Sequence, residues 1–293
     1  MDTLAFVYII TLSLPVIAYF LYRFISIKAG FKYRRALFGR SRITGRSRQV
    51  PLNGDLAACY FVIANEHRSR MLNPRYGKNL LNACLLRWLL DGNIGIHSHS
   101  EAGGQADLSF EHEFQPGGQL EKDVLKIIRK ASGENRILEY HELPDWLDQD
   151  LNFRRLSTLP DHAETLGRSW FSKRKWLQGK RSLVPAGRDD ARAVIEYRNF
   201  LNDLLEGRET HPDTFQFKHY LVYAGLFGFS VPMSRKLDRS FPDAFRMLAD
   251  SAGTDPETLK VTVRLIGDIS ATAMESADKR QTMYDAEPTD IDD

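Results

Sequence analysis

The chain has 293 residues, of which 43% are hydrophobic and 27% are charged, so it can bury a core in one or two domains. Its formal net charge of +2 gives no overall field that would recruit nucleic acid. Two cysteines, Cys59 and Cys84, exclude a disulfide-scaffolded protein, although the count leaves open either two buried free thiols or one disulfide.

The first feature in chain order is an apolar run without a charged residue, residues 4–22, which reads LAFVYIITLSLPVIAYFLY. Its length is close to the roughly 20 residues that a helix needs to cross the hydrocarbon core. One acidic residue precedes the run, and only basic charges follow it before Asp55. The positive-inside rule then places the C-terminal side in the cytoplasm.

We therefore predict a transmembrane anchor over residues 1–27. The chain would be a single-pass protein of the cell membrane, with its N-terminus outside and its bulk in the cytoplasm. A cleaved secretory signal is the alternative. It would need basic charge before the apolar run and a small-residue cleavage site after it, and the sequence has neither.

Residues 28–50 form a basic juxtamembrane linker. Basic side chains beside a membrane helix are attracted to anionic lipid, at about 1 kcal/mol each near the surface. A nucleic-acid-binding arm is the alternative interpretation of the same charges. The predicted membrane-surface residues are Lys28, Lys32, Arg34, Arg35, Arg40 and Arg42.

Residues 51–135 have the element order of a winged helix. Asn53 or Asp55 can cap a first helix that runs to about residue 71, and a second helix spans about 76–90. Strand patterns near 94–97 and 107–114 flank a glycine-rich loop and would form the wing, and a helix follows over 120–132. We predict a winged-helix-like α+β cytoplasmic domain.

A helical domain is predicted over residues 136–277, with amphipathic segments near 143–151, 189–206, 213–228 and 256–277. The segment between 152 and 185 is less regular. The end of the chain, residues 278–293, is acidic and poor in apolar residues, which is typical of a disordered tail. The predicted fold class is thus mainly α, with a transmembrane helix, a winged-helix-like domain and a helical region.

A basic and aromatic segment lies inside the irregular stretch. Aromatic rings interleaved with lysine and arginine can bind a partner or sit at a lipid interface, although a solvated surface with a buried Trp is the ordinary alternative. The residues of this predicted partner or lipid patch are Trp170, Phe171, Lys173, Arg174, Lys175 and Trp176.

Reaction-bearing motifs are absent from the sequence: there is no GxSxG elbow, phosphate-binding loop, GxGxxG or HExxH. We therefore predict no catalytic residue, no metal ligand and no cofactor. A metal-dependent hydrolase is kept as an alternative, although the ligand spacing matches no zinc pattern. It would use His97, His99 and His112, with Glu111 and Glu113 beside them.

A winged helix also raises the question of DNA binding. The second predicted helix carries Arg75, Lys78 and Arg87, but leucine and cysteine dominate it, and the wing carries Glu111 and Glu113. Acidic side chains are poor partners for phosphates. A membrane-bound winged-helix regulator is therefore the alternative hypothesis, and a nucleic acid is not the expected partner.

Two segments resemble a known family. The first is LLRWLLDGNI at residues 85–94. The second comprises YRNFL at 197–201, Phe217, and YLVYAGLFG at 220–228. They are similar to the cytoplasmic region of a bacterial membrane-protein family, the domain of unknown function 2207 family, over about residues 50–245. The resemblance implies membrane attachment, a winged-helix-like part and no catalytic residues. Family members commonly carry a β-rich domain before the membrane helix, which we expect a partner to replace here.

The function expected from the sequence is a non-catalytic, membrane-tethered cytoplasmic module for protein interaction or scaffolding. Its partners would be membrane lipid and a protein, with another membrane protein as one candidate.

Overall fold

The computed structural model describes residues 38, 43–66, 75–98, 106–174, 181–183 and 186–286, and these residues are mainly helical. Short 3-10 turns precede two of the helices, at Pro51–Gly54 and Thr214–Gln216. In chain order the elements are α1 (Leu56–Glu66), α2 (Arg75–Leu90), β1 (Gly95–Ser98), β2 (Ala106–Ser109), α3 (Gln119–Ala131), β3 (Ile137–Leu138), α4 (Glu142–Leu147), α5 (Phe153–Ser157), α6 (Leu159–Phe171), β4 (Ser172–Arg174), β5 (Arg181–Leu183), α7 (Ala186–Leu205), α8 (Phe217–Phe227), α9 (Ser230–Ser240), α10 (Pro242–Ser251) and α11 (Pro256–Ala286).

Helix α2 lies at the centre of the packing. Helices α8 and α11 make its most extensive contacts, and α1, α3 and α6 also touch it. A helix that is apolar on all sides belongs in a core. The buried residues of α2 lie on several faces of the helix: Leu80, Leu81, Ala83, Cys84, Leu85, Leu86, Trp88, Leu89 and Leu90.

Two glycines allow helices to approach closely. A Cβ atom on Gly225 of α8 would lie 2.9 Å from both Asn82 and Leu86 of α2. A Cβ atom on Gly167 of α6 would lie 2.3 Å from the carbonyl oxygen of Ala57 in α1. Because a backbone carbonyl cannot move aside as a side chain can, α1 and α6 pack at this distance only with glycine at the crossing.

Strands β1 and β2 form an antiparallel hairpin in which Gly95 pairs with Ser109 and Ile96 with Leu108. The second strand ends at Ser109, earlier than the predicted residue 114. Strand β3 adds to β2 through the pairing of Leu108 with Leu138. The predicted boundary between residues 135 and 136 therefore separates two neighbouring strands of one sheet.

The region predicted as a helical domain differs from expectation in three places. The irregular stretch 152–185 contains α5, α6 and a second hairpin, β4–β5. Helices α9 and α10 were not among the predicted elements. Helix α11 continues through residues 278–286, which we predicted to be disordered tail, while 287–293 lie outside the described residues.

The N-terminal part of the predicted fold class is corrected. The anchor predicted over residues 1–27 lies outside the described residues, and no helix within the described ranges is long and apolar enough to cross a membrane. Apolar length and flanking charge were the whole basis of that prediction. We withdraw the transmembrane helix, the single-pass membrane localisation and the role as a membrane tether. The corrected class is a mainly helical fold with a small three-stranded sheet.

Arg87 is the one charged residue between positions 80 and 90 of α2. Its Nη1 atom donates a hydrogen bond to Glu121 Oε1 of α3 at 2.7 Å, and Nη2 donates to the Gly54 carbonyl oxygen at 2.6 Å. The indole N–H of Trp88 donates to Glu121 Oε2 at 3.1 Å. Burial opposes the guanidinium charge, but the Glu121 carboxylate, together with smaller contributions from Tyr223 and Cys84, outweighs burial and raises the pKa of Arg87.

Replacement of Arg87 by methionine is expected to lower the free energy of unfolding by about 3–5 kcal/mol, because it leaves the Glu121 carboxylate buried without a cation. Adding Glu121→Gln should restore at least about 1 kcal/mol, since the amide carbonyl still accepts from Trp88 and no charge is left unpaired. Urea unfolding of the two single variants and the double variant measures this. Additive losses in the double variant would contradict the proposed coupling.

Candidate functional site

Residues 43–50 form an extended segment that lies along α7, and we call this segment the strap. The side-chain amide of Asn199 donates to the carbonyl oxygens of Ile43, at 3.2 Å, and Gly45, at 3.1 Å. The Ser47 N–H donates to the Glu196 carbonyl oxygen at 3.2 Å. Main-chain contacts therefore hold the strap against the helix.

Two arginines of the strap pair with carboxylates. Arg46 donates to Asp203, whose other oxygen accepts from Arg208 Nε at 2.7 Å. Arg48 donates to Glu209 at 2.8 Å. Hydrogen bonding from Arg46, reinforced by Arg208, holds the pKa of the Asp203 carboxyl below its usual value.

The turn Pro51–Gly54 connects the strap to α1. Leu52, Asn53 and Gly54 all have positive φ angles, of 53°, 51° and 85°. This backbone is costly for Leu52, and the hydrogen bond from Arg87 to the Gly54 carbonyl holds the turn in place. Asp55, one of the two caps that the sequence offers, then caps α1 by accepting from the Ala58 N–H at 2.9 Å.

A second turn, Thr214–Gln216, lies at the start of α8. The Asp213 carboxylate accepts from the Phe215 N–H at 3.1 Å and fixes this turn. The Phe215 side chain is 88% exposed, the largest exposed fraction among the large apolar side chains of the described residues. Phe217, two residues later, is 1% exposed. The turn thus presents one aromatic ring to solvent from a backbone that is held in position.

The two turns enclose an open cleft of about 730 Å³. Five of its nine described lining residues carry neutral hydrogen-bonding groups, and one cation and one anion accompany them, which suits a polypeptide better than a highly charged substrate. The lining residues are Arg48, Gln49, Val50, Asn53, Gly54, Asp213, Gln216, His219 and Tyr220.

Burial shifts the pKa values of the two titratable rings of the cleft, His219 and Tyr220. Partial burial, together with the charges of Lys218 and Arg87, lowers the pKa of His219, and Asp91 opposes the shift. The imidazole is therefore neutral at pH 7. Burial also raises the pKa of Tyr220 to about 12, an effect that the backbone N–H of Asp213 partly offsets. The Tyr220 hydroxyl therefore stays protonated near neutral pH.

The floor beneath the cleft is a cluster of buried aromatic rings. Tyr220 lies 5.4 Å from Phe200 and 5.9 Å from Phe217, measured between ring centroids. Tyr197 and Tyr223 meet edge to face at 5.2 Å. Such contacts between α7 and α8 make the base of the cleft rigid.

Both cysteines are free and buried, so the two-thiol alternative holds in the structure. Burial raises the pKa of each thiol above its ordinary value. The Cys59 thiol lies 3.9 Å from the Tyr223 hydroxyl, to which it can donate. Thiols that are buried and protonated are unreactive, so neither is a candidate nucleophile.

The six basic residues predicted to bind lipid lie outside the described residues. These are Lys28, Lys32, Arg34, Arg35, Arg40 and Arg42. Two later arginines of the same run, Arg46 and Arg48, are engaged by carboxylates of the protein itself.

Of the predicted basic and aromatic patch, only the side chains of Trp170 and Phe171 are among the described residues, so the patch stays a prediction. Trp170 is 41% exposed, and its indole N–H donates to Asp190 at 3.2 Å. Phe171 is fully buried and stacks on Phe61 at 5.3 Å. The backbones of Lys173 and Arg174 lie in β4, and Lys175 and Trp176 lie outside the described residues.

The metal hypothesis gains no support. His97 and His112 are exposed, and His99 is outside the described residues. Within the ranges that the structure describes, no group of three or more His, Cys, Asp or Glu side chains is placed to hold a metal ion. The DNA hypothesis meets a steric difficulty, because α2 is covered by α8 and α11 and a recognition helix must be free to enter the major groove.

Comparisons of the chain with protein-family models, with curated proteins and with solved structures find no match. The resemblance to the domain of unknown function 2207 family therefore stays a prediction. The geometry of the cleft and its surroundings carries the functional argument.

Sequence reasoning missed the cleft and Phe215. The only local signal was Asp213 at the start of a predicted helix, because an aspartate there can cap a turn. Nothing in the TFQF stretch shows that the first phenylalanine faces solvent and the second the core. The strap was likewise assigned to the basic segment at a membrane surface. Its acidic partners, Asp203 and Glu209, lie more than 150 residues away, so no local pattern reveals them.

Replacement of His219 by glutamine is expected to make stability less dependent on pH. The pKa of His219 is lower in the folded than in the unfolded state, so the unfolded chain binds more protons as the pH is lowered through about 6.5. The free energy of unfolding therefore decreases as the pH is lowered. Urea unfolding between about pH 7.5 and pH 5 should show a smaller loss for His219→Gln than for the wild type.

The matched control for this experiment is His112→Gln, because His112 is exposed on the loop after β2. It should lose as much stability on acidification as the wild type. Equal losses for His219→Gln and the wild type would show that His219 contributes nothing to the pH dependence.

Proposed function

We propose that this chain is a non-catalytic protein-interaction module that binds a partner with the surface formed by Phe215 and the adjacent cleft. The exposure of Phe215 is the observation that carries the proposal. An aromatic side chain that is 88% exposed lacks the stabilisation of burial in the free protein. Burial of this side chain by a partner would contribute about 1.5–3 kcal/mol to the free energy of binding.

The setting of Phe215 supports recognition. Interface hot spots are large side chains held rigidly beside a pocket that excludes water. Asp213 fixes the turn that carries Phe215, and the cleft beside it is lined with amide, imidazole and phenol groups. A partner would insert polar groups into the cleft and pack an apolar residue on the ring.

The chemistry of the cleft favours binding over catalysis. Among the described residues that line it there is no thiol and no pair of carboxylates. The alternatives of a DNA-binding regulator and a metal-dependent hydrolase have no observation among the described residues that favours them. The resemblance to the domain of unknown function 2207 family is compatible with a non-catalytic role.

Replacement of Phe215 by alanine is expected to reduce capture of the partner about tenfold or more, since about 1.4 kcal/mol corresponds to a factor of ten in affinity. The full chain is immobilised, incubated with extract of the cells that express it, and the captured proteins are quantified by mass spectrometry. Light scattering of the purified chain shows whether the partner is a second copy.

The matched control is Met247→Ala on α10, which removes another exposed apolar side chain, 67% exposed. Both variants should unfold at the wild-type temperature because neither side chain is buried. Equal capture by wild type, Phe215→Ala and Met247→Ala, with no self-association that depends on Phe215, would sink the proposal.

A further inference from the structure

The strap lies on α7 in the way that an extended peptide lies on a receptor. Both hydrogens of the Asn199 amide are used on main-chain carbonyls of the strap, those of Ile43 and Gly45. The Ser47 N–H bonds to the Glu196 carbonyl oxygen. These contacts recognise the backbone of an extended chain and would accept other sequences.

Side-chain contacts add a preference for arginine at alternate positions. In an extended chain, residues two apart point to the same side. Arg46 reaches Asp203 and Arg48 reaches Glu209, and the Arg48 guanidinium lies 5.9 Å from the centre of the Phe200 ring. A carboxylate at each arginine and an aromatic ring beneath the second make a specific site for Arg-x-Arg.

The glycine before the first arginine also fits its position. A Cβ atom on Gly45 would lie 2.3 Å from the Glu196 carboxylate, which is held in turn by Arg192 at 2.7 Å. The side of α7 under the strap therefore suits the pattern Gly-Arg-x-Arg, and its carboxylates exclude nucleic acid as an occupant.

We infer that this groove, formed by Glu196, Asn199, Phe200, Asp203 and Glu209, is a docking site for an extended Gly-Arg-x-Arg segment of a partner protein. The strap occupies the groove in cis and competes with that segment. A tethered ligand has a high effective concentration, so the wild-type chain binds a free peptide weakly while its own strap is docked. Phe215 is not part of the groove, but Arg48, Gln49 and Val50 of the strap also form one wall of the cleft beside Phe215, so a segment that displaces the strap would replace that wall.

Weakening the strap tests the inference without altering the groove. The full-length double variant Arg46→Ala, Arg48→Ala loses both ion pairs, and the wild-type arginine side chains are 59% and 56% exposed, so the fold is retained. The probe is a fluorescent peptide of residues 43–50, ITGRSRQV. Its anisotropy is followed at about 0.15 M salt, where unspecific attraction is screened.

The peptide is expected to bind the double variant about tenfold more tightly than the wild type. Binding to the double variant should fall about fivefold when Asp203→Asn or Asn199→Ala is added, and by more when both arginines of the peptide are replaced to give ITGASAQV. Phe215→Ala, placed in the double variant, should leave peptide binding unchanged, because Phe215 is not a residue of the groove, so peptide binding and partner capture through Phe215 can fail separately.

Two results would overturn the inference. One is equal affinity of the peptide for the wild type and the double variant, since the strap would then not occupy its site. The other is a folded double variant, with the thermal unfolding midpoint of the wild type, that does not bind the peptide at all. Should the double variant be unfolded, Arg48→Ala alone takes its place with the same two criteria.

Discussion

The ion pair between Arg87 and Glu121 constrains the rest of the structure. Helix α2 is apolar on every face near Arg87, so a guanidinium there needs an anionic partner inside the fold. Glu121 of α3 supplies it and also accepts from the Trp88 indole. The remaining guanidinium donor reaches the Gly54 carbonyl. One charged side chain therefore joins the central helix, α3 and the turn that precedes α1.

That turn connects the buried network to the surface. From the turn, the strap runs along α7, and its arginines meet Asp203 and Glu209. Across the cleft, Asp213 holds the turn that exposes Phe215. The cleft thus combines two segments, 48–54 and 213–220, that lie far apart in the sequence and are each fixed by hydrogen bonds. A surface prepared in this way loses little conformational freedom on binding.

Local patterns allowed part of this architecture to be predicted from the sequence. The extent of α2 is recorded in neighbouring residues, and that prediction is confirmed. The sequence offers Asn53 or Asp55 as the cap of α1, and Asp55 fills that role. The partners of Arg87 and Arg46 are not recorded in neighbouring residues, because they lie 34 and 157 residues away. Phe215 and Phe217 are alike in sequence, yet one is exposed and the other buried, since tertiary packing decides. The predicted membrane anchor, based on apolar length and flanking charge, is withdrawn.

The central claim is that the partner covers the Phe215 cleft. Amide hydrogen exchange tests this claim most directly when the full chain is measured alone and with its captured partner. Exchange should slow on binding in residues 213–220 and 48–54, since a partner seated there shields both walls of the cleft from water. Exchange in α10, Pro242–Ser251, should stay the same. Slowed exchange confined to α10 or α11, with 213–220 unchanged, would contradict the account.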